Sequence, residues 1–255
     1  RLRHNRHTLL GFAAGLAGTL LVFGVIGLGV AASKLPDIGT LTDYRPKLPL
    51  RIYSADKVLL GEFGEQRRSF VPIAQIPKLM QDAVLAAEDT RFYEHGGIDF
   101  QGLMRAGLAN ILDPGSQGAG TITMQVARDF FLSREKTITR KLIEMMLALR
   151  IESQLDKPHI LELYMNQIFL GQRAFGFAAA SDIYFGKPLG QLSIAETAML
   201  AGLPKGPSIY NPIVNPKRAT ARQHYVLDRM VDIGAITPEQ RDAAPARKLV
   251  YRSTA

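Results

Sequence analysis

The chain contains no cysteine, so neither a disulfide framework nor a thiolate metal site contributes to its fold or chemistry. Cysteine usage is therefore silent on the redox compartment. No glycine-rich stretch is followed by Gly-Lys-Ser/Thr, which removes the phosphate-binding P-loop from consideration. Internal repeats and low-complexity tracts are also missing. Acidic residues are the scarcer charge, 23 against 31 Lys and Arg, leaving a formal charge of +8 over 255 residues and a pI near 9.8. That excess favours an acidic partner, whether nucleic acid, anionic headgroup or phosphorylated substrate, without choosing among them.

Charge is absent altogether from Leu9 to Ala32. As a helix rising ~1.5 Å per residue, that run is long enough to cross a ~30 Å hydrocarbon core. Arg1, Arg3 and Arg6 precede it, while Lys34 and Asp37 follow. The positive-inside bias then makes residues 1–8 a cytoplasmic tail and 9–33 a transmembrane helix, with the rest of the chain outside. A cleaved signal peptide has a shorter apolar run, and a soluble core helix a less uniform one. A body held on the far side of a membrane has no access to nucleic acid, which is set aside as a partner.

What is present reads as one main domain with appendages, since 47% hydrophobic composition supports a core of ordinary size. Residues 34–70 are expected to be a connector and a β-hairpin. Leu35 to Leu50 carries three prolines, and Arg51 to Phe63 has two apolar runs around Ser54-Ala55-Asp56-Lys57. From 71 to 245 the periodicity is helical. Pro77 suits a first turn before the face Leu79, Met80, Ala83, Val84 and Ala87. Asp113 to Gly120 is glycine-dense and reads as a loop. Ser133 can cap a helix to about Gln154, with Ile138, Leu142, Met145, Met146 and Leu149 as its buried face. Asp156 or Lys157-Pro158 opens another. Ser193-x-x-Glu196 and Thr237-x-x-Gln240 are capping boxes, and Gly202 with Pro204 closes the Ser193 helix. The body is expected to be mainly α with one small β element.

Two clusters carry chemistry. Glu88-Asp89-Thr-Arg-Phe92-Tyr-Glu-His95 places two carboxylates, an aromatic and a histidine at a helix end that leads into Gly96-Gly97. Burial against Phe92 would raise a carboxylate toward the range of a general base. The same residues also read as helix-end surface charges around one packed ring. Lys136, Arg140 and Lys141 with Glu144 set three cations beside one carboxylate. That surface suits a diphosphate leaving group, and equally a solvated face with i,i+4 ion pairs. Between the clusters, Gly118 to Arg128 runs small and hydroxyl residues from a loop into a helix, allowing close approach of a sugar or phosphate.

On these residues the chain resembles glycosyltransferase family 51, the peptidoglycan glycosyltransferases of class A penicillin-binding proteins, from about Leu35 to about Ala243. Five motifs occur in order: Glu88-Asp-x-x-Phe-x-x-His95, Gly118 to Gln125, Arg140-Lys-Leu-Ile-Glu144, Ile160-Leu-Glu162-Leu-Tyr164-Met-Asn166, and Glu196 to Pro204. The resemblance implies a lysozyme-like α-helical fold with a membrane-proximal lobe. It implies that Glu88 is the catalytic base and Glu144 a second catalytic carboxylate. Asp89, Phe92, His95, Thr121, Gln125, Arg128, Lys136, Arg140 and Lys141 are then the substrate-binding positions. The implied substrates are lipid II and the growing glycan strand, polymerised at the periplasmic face of a bacterial inner membrane. Membrane lipid and other cell-wall synthesis proteins are the implied partners. No cofactor is required and no metal ligand set is expected, although Glu144 could hold a divalent cation, Mg or Mn. The last two motifs read as architecture.

Gly120, Met124 and Asp129 depart from the family pattern, where serine, glutamine and asparagine are usual. Ser133-Arg-Glu-Lys136 has the spacing of a transpeptidase nucleophile motif, but no Lys-Thr-Gly element follows, so Ser133 is a helix cap. Residues 246–255 are expected to open a linker to a transpeptidase domain that this sequence does not contain. A glycan hydrolase on the same fold, or a non-catalytic scaffold that binds lipid II, are the rival functions; a hydrolase has no use for the cationic cluster.

Overall fold

The computed structural model describes residues 35–42, 50–56, 59–63, 66–112, 118, 120–132, 138–244 and 249–252, and nearer the N-terminus 11, 15, 18–19, 22–27, 29–30 and 32–33. The N-terminal positions are helical, and Val22, Phe23, Val25, Ile26 and Val30 are exposed. Among the described residues no helix is long and apolar enough to cross a membrane. The span expected over 9–33 is only partly within them.

A short helix α1 (Gly39–Thr42) precedes the hairpin, in which β1 (Leu50–Tyr53) pairs antiparallel with β2 (Leu59–Phe63). Leu50 faces Phe63, and the register shifts at Ile52/Tyr53. A second pair has no counterpart among the sequence expectations: β3 (Arg67–Arg68) runs parallel to β4 (Ala174–Phe175). It joins segments far apart in sequence, which local patterning cannot reveal.

The rest is helical. Pro77 is the N-cap of α2 (Lys78–Glu88), which buries Met80, Ala83, Val84, Leu85 and Ala86. After α3 (Phe100–Leu112), Thr121 caps α4 (Ile122–Phe131) by accepting from the Met124 amide at 3.2 Å. α5 (Ile138–Glu152) leads to α6 (Lys157–Gln167), capped by Asp156. α7 (Phe177–Phe185) ends on Gly186 in the left-handed region at φ 65°. Both expected capping boxes are formed, on α8 (Ile194–Ala201) and α10 (Pro238–Ala243), with α9 (Pro216–Asp232) between them. α4 packs on α5 and α6, while α9 packs on α2 and α8. One core results, with Phe92, Leu147, Ile151, Tyr164, Phe177 and Tyr184 among its fully buried side chains.

The buried face of α5 differs from the one its periodicity predicts. α5 buries Glu144, Leu147, Ala148 and Ile151, whereas Leu142 and Leu149 are 40% and 48% exposed and Met145 and Met146 half-buried. The helix carries two apolar stripes, and periodicity alone ranks the one holding a carboxylate second. The core takes that stripe because Arg140 and Lys141 sit one turn back and compensate Glu144. Ser133 and Lys136 lie outside the described residues. Leu249 and Tyr251, in the expected linker, pack against the core, with Tyr251 on Phe185 at 5.5 Å between ring centroids.

Candidate active site

Where α2, α4 and α9 converge they leave an open cleft of about 980 Å³. Its floor is the C-terminal end of α2 with Gln125 and Arg128 from α4. Gly118 and Gly120 form one rim, Gly102 and Arg105 of α3 another, and Lys205, Tyr210, Arg222, Tyr225 and Arg229 the far wall. Five cations, Arg105, Arg128, Lys205, Arg222 and Arg229, face three carboxylates, Glu88, Asp89 and Asp99. The cleft therefore suits a polyanionic ligand.

Glu88 is the last residue of α2, 10% exposed at its side chain. Its Oε2 accepts a hydrogen bond from Gln125 Nε2 at 3.1 Å. Its Oε1 lies 3.5 Å from Arg222 Nη2 but accepts no hydrogen bond from the described residues. Burial pushes the carboxyl above its ordinary value, against the opposing pull of the Gln125 hydrogen bond and the charges of Arg222, Lys205 and Arg128. A proton acceptor needs that combination: raised basicity, and an oxygen whose lone pairs accept no hydrogen bond. The ring expected to bury it does not line the cleft. Phe92 is 1% exposed within the core, with Lys157 Nζ 4.3 Å over its face. Tyr164, fully buried, has a hydroxyl with no hydrogen-bond partner among the described residues. Burial raises its pKa well above the ordinary phenol value, and the charges of Glu88 and Asp129 add to the effect.

Asp89 is engaged on both oxygens. His95 Nε2 lies 3.0 Å from each, and Oδ2 also accepts from the Ile122 amide at the start of α4, at 3.0 Å. A carboxylate at that position complements the positive end of the helix. The Thr121 hydroxyl donates to the Gly97 carbonyl at 2.6 Å. Gly97 has φ 90°, and a Cβ there would come within 2.9 Å of the Ala148 backbone. Together Asp89, His95, Thr121 and Gly97 lock the loop after α2 onto α4 and α5, which fixes Glu88 opposite Gln125. Asp89 and Thr121 line the cleft; Phe92 and His95 do not.

Glu144 is 1% exposed, with Lys141 Nζ 3.0 Å from Oε2 and Arg140 Nε 3.3 Å from Oε1. It does not line the cleft, whereas Lys141 Nζ comes within 3.9 Å of where a Cβ would stand on Gly120, at the rim. Nearby, burial raises the Asp129 carboxyl, Arg128 draws it down and Glu144 adds to the rise. Among the described residues no group of three or more His, Asp and Glu side chains converges as a metal site would.

The structure thus gathers Glu88, Asp89, Thr121, Gln125 and Arg128 around the cleft, with Lys141 at its edge. No motif pointed to Lys205, Arg222 or Arg229. The available signal was the spacing 222, 225, 229 on α9, an Arg-Tyr-Arg stripe along one face.

Residues 56–231 match the family model described as transglycosylase. The chain is 53% identical over 242 residues to penicillin-binding protein 1A of Neisseria flavescens, covering 93% of this chain and 30% of that protein. It is 52% identical over 210 residues to penicillin-binding protein 1A of Escherichia coli K12, covering 82% and 25%. The crystal structure of penicillin-binding protein 1A from Haemophilus influenzae superposes with a TM-score of 0.49 at 33% identity, covering 81% of this chain and 22% of that one. The chain spans less than a third of the length of these relatives.

Proposed function

From the premise that the chain belongs to the transglycosylase family, we propose that it polymerises lipid II into β-1,4-linked glycan strands, inverting the MurNAc anomeric carbon and releasing undecaprenyl diphosphate. The observation that carries this reading is the half-engaged carboxylate of Glu88 in a cationic cleft. Glu88 takes the proton of the acceptor GlcNAc 4-hydroxyl as that oxygen bonds to the anomeric carbon. The bond from that carbon to the diphosphate oxygen breaks, and the diphosphate leaves with the electron pair. Arg128 and Lys141 stabilise its growing charge, with Arg140 and Glu144 orienting Lys141. Lys136 joins them on the strength of the family motif. A glycan hydrolase would need a carboxylic acid to protonate a leaving oxygen and no such ring of cations.

A lipid-linked substrate also suits the exposed apolar side chains. Phe100, Leu103, Met104 and Leu108 of α3 are 41–71% exposed, and Leu142 and Leu149 of α5 are exposed as well. Contact with the bilayer surface gives those side chains an environment that water does not. The uncharged run from Leu9 to Ala32 supports a single membrane anchor with the catalytic body in the periplasm. Other cell-wall synthesis proteins are the partners that this placement favours.

The test is incubation of the purified chain with fluorescent lipid II in detergent, with products resolved by gel and their linkage determined. A ladder of β-1,4 glycan is expected. Retained α configuration would exclude direct displacement, and lipid II binding without any ladder would favour a scaffold.

A further inference from the structure

Arg222 of α9 approaches Glu88 at the end of α2, with Nη2 3.5 Å from Oε1. Its side chain is 11% exposed and its guanidinium stacks over Tyr225 at 4.5 Å, with Tyr210 at 5.9 Å. Its Nε is buried without a hydrogen-bond partner among the described residues, an arrangement that costs free energy. The stem of the side chain passes over Gly202. That glycine caps α8 at φ −78° and ψ −20°, right-handed backbone that any residue adopts, so conformation does not explain it. A Cβ there would lie 2.9 Å from Arg222 Cγ. The Cγ is the root of the side chain and cannot swing aside without carrying the guanidinium with it. Gly202 is small so that Arg222 can pass.

We propose that Arg222, guided by Gly202 and Tyr225, is a positioning residue for the proposed reaction, orienting the Glu88 carboxylate and supplying its counter-charge. This rests on the glycosyltransferase reading given above. Among the described residues, Arg222 is the cation in ion-pair contact with Glu88. Arg128 from α4 and Lys205 from the turn after α8 act on it as more distant charges, the Tyr164 hydroxyl of α6 feels its charge, and Asp89 adjoins it. When Glu88 accepts the proton, the pair loses its negative member. Arg222 is then an uncompensated cation at the cleft wall while negative charge develops on the departing diphosphate.

Arg222→Met, Arg222→Lys and Gly202→Ala test this in the whole chain, with folding followed by thermal unfolding. For Arg222→Met the expected result is a kcat lower by roughly 10- to 100-fold, a KM for lipid II within about threefold, and an acid limb of the pH–rate profile moved to higher pH. Arg222→Lys should recover most of the rate. Gly202→Ala, which keeps the arginine but displaces it, should move the limb in the same direction by less. A rise in KM with unchanged kcat and an unmoved acid limb would overturn the proposal and make Arg222 a plain substrate ligand. Isotope-edited infrared titration of the Glu88 carboxyl needs no turnover, and its midpoint should rise in Arg222→Met. A native chain that makes no glycan while this midpoint still moves removes the reaction and leaves the Arg222–Glu88 coupling standing. Glycan synthesis with midpoint and acid limb both unmoved removes the coupling and leaves the reaction.

Discussion

Glu88 at the end of α2 and Glu196 at the start of α8 stand on helices that pack against each other, and their side chains are similarly buried, 10% and 7% exposed. Exposed area does not separate them, but Glu88 lies deeper within the protein and their partners differ. Glu196 Oε1 accepts from Lys187 Nζ at 2.6 Å and Oε2 from the Ser193 amide at 2.8 Å. Burial pushes its carboxyl up, but the Lys187 and Ser193 hydrogen bonds outweigh that and hold it below the ordinary value. Glu88 has one hydrogen bond from a neutral amide and one cation at 3.5 Å, so burial prevails. A buried carboxylate with both oxygens engaged is architecture. One with an oxygen that accepts no hydrogen bond, on a residue lining a cationic cleft, is available for proton transfer.

The comparison breaks most sharply on rate. Glu88→Gln should lower polymerisation by about 10²- to 10⁴-fold with the fold intact, the range of a lost general base. Glu196→Gln should leave the rate per folded molecule within about twofold. Gel-resolved lipid II assays at equal folded fraction measure both.

Asp89 tests the distinction within one motif. With both oxygens engaged it belongs with Glu196, although it adjoins Glu88 in sequence. Asp89→Ala should destabilise the domain by about 1–3 kcal/mol, by stripping partners from His95 and the Ile122 amide. Denaturant titration should show this as a lower midpoint. Glu196→Ala should cost about 1–2 kcal/mol through the lost capping box and Lys187 pair, seen as a Tm lower by about 2–6 °C.

The smallest effects are in pH dependence, and their signs differ. Glu196, held low in the folded state, contributes stability that is present above its unfolded pKa and lost as pH falls through the folded one. Glu88, held high, contributes stability that is present below its unfolded pKa and lost as pH rises through the folded one. Glu88→Gln should therefore raise Tm at neutral pH and approach the native Tm in acid. Glu196→Gln should lower Tm at neutral pH and do so less in acid. Thermal melts across pH 3–8 check both, taking about 4 as the unfolded carboxylate pKa.

What the sequence made legible follows the range of the forces involved. The caps at Asp156, Ser193 and Thr237 lie within three residues of the amides they serve, and all three form as expected. The hairpin is similarly local. The β3–β4 pair and the approach of Arg222 to Glu88 depend on segments more than a hundred residues apart, which leave no periodic trace. α5 offered two apolar stripes, and only the tertiary fold chose the one that includes Glu144. Gly202, read as a helix terminator, ends α8 in ordinary right-handed backbone, and its small size matters to a side chain twenty residues later. Glu88, Asp89 and Gln125 of the cleft sit in sequence motifs, whereas the α9 wall does not.

The most direct test of the contrast is a single-turnover comparison of lipid II coupling by the native chain, Glu88→Gln and Glu196→Gln at matched folded concentration. The account expects glycan bond formation from the native chain and Glu196→Gln at similar rates, and almost none from Glu88→Gln. Coupling by Glu88→Gln at the native rate would contradict it.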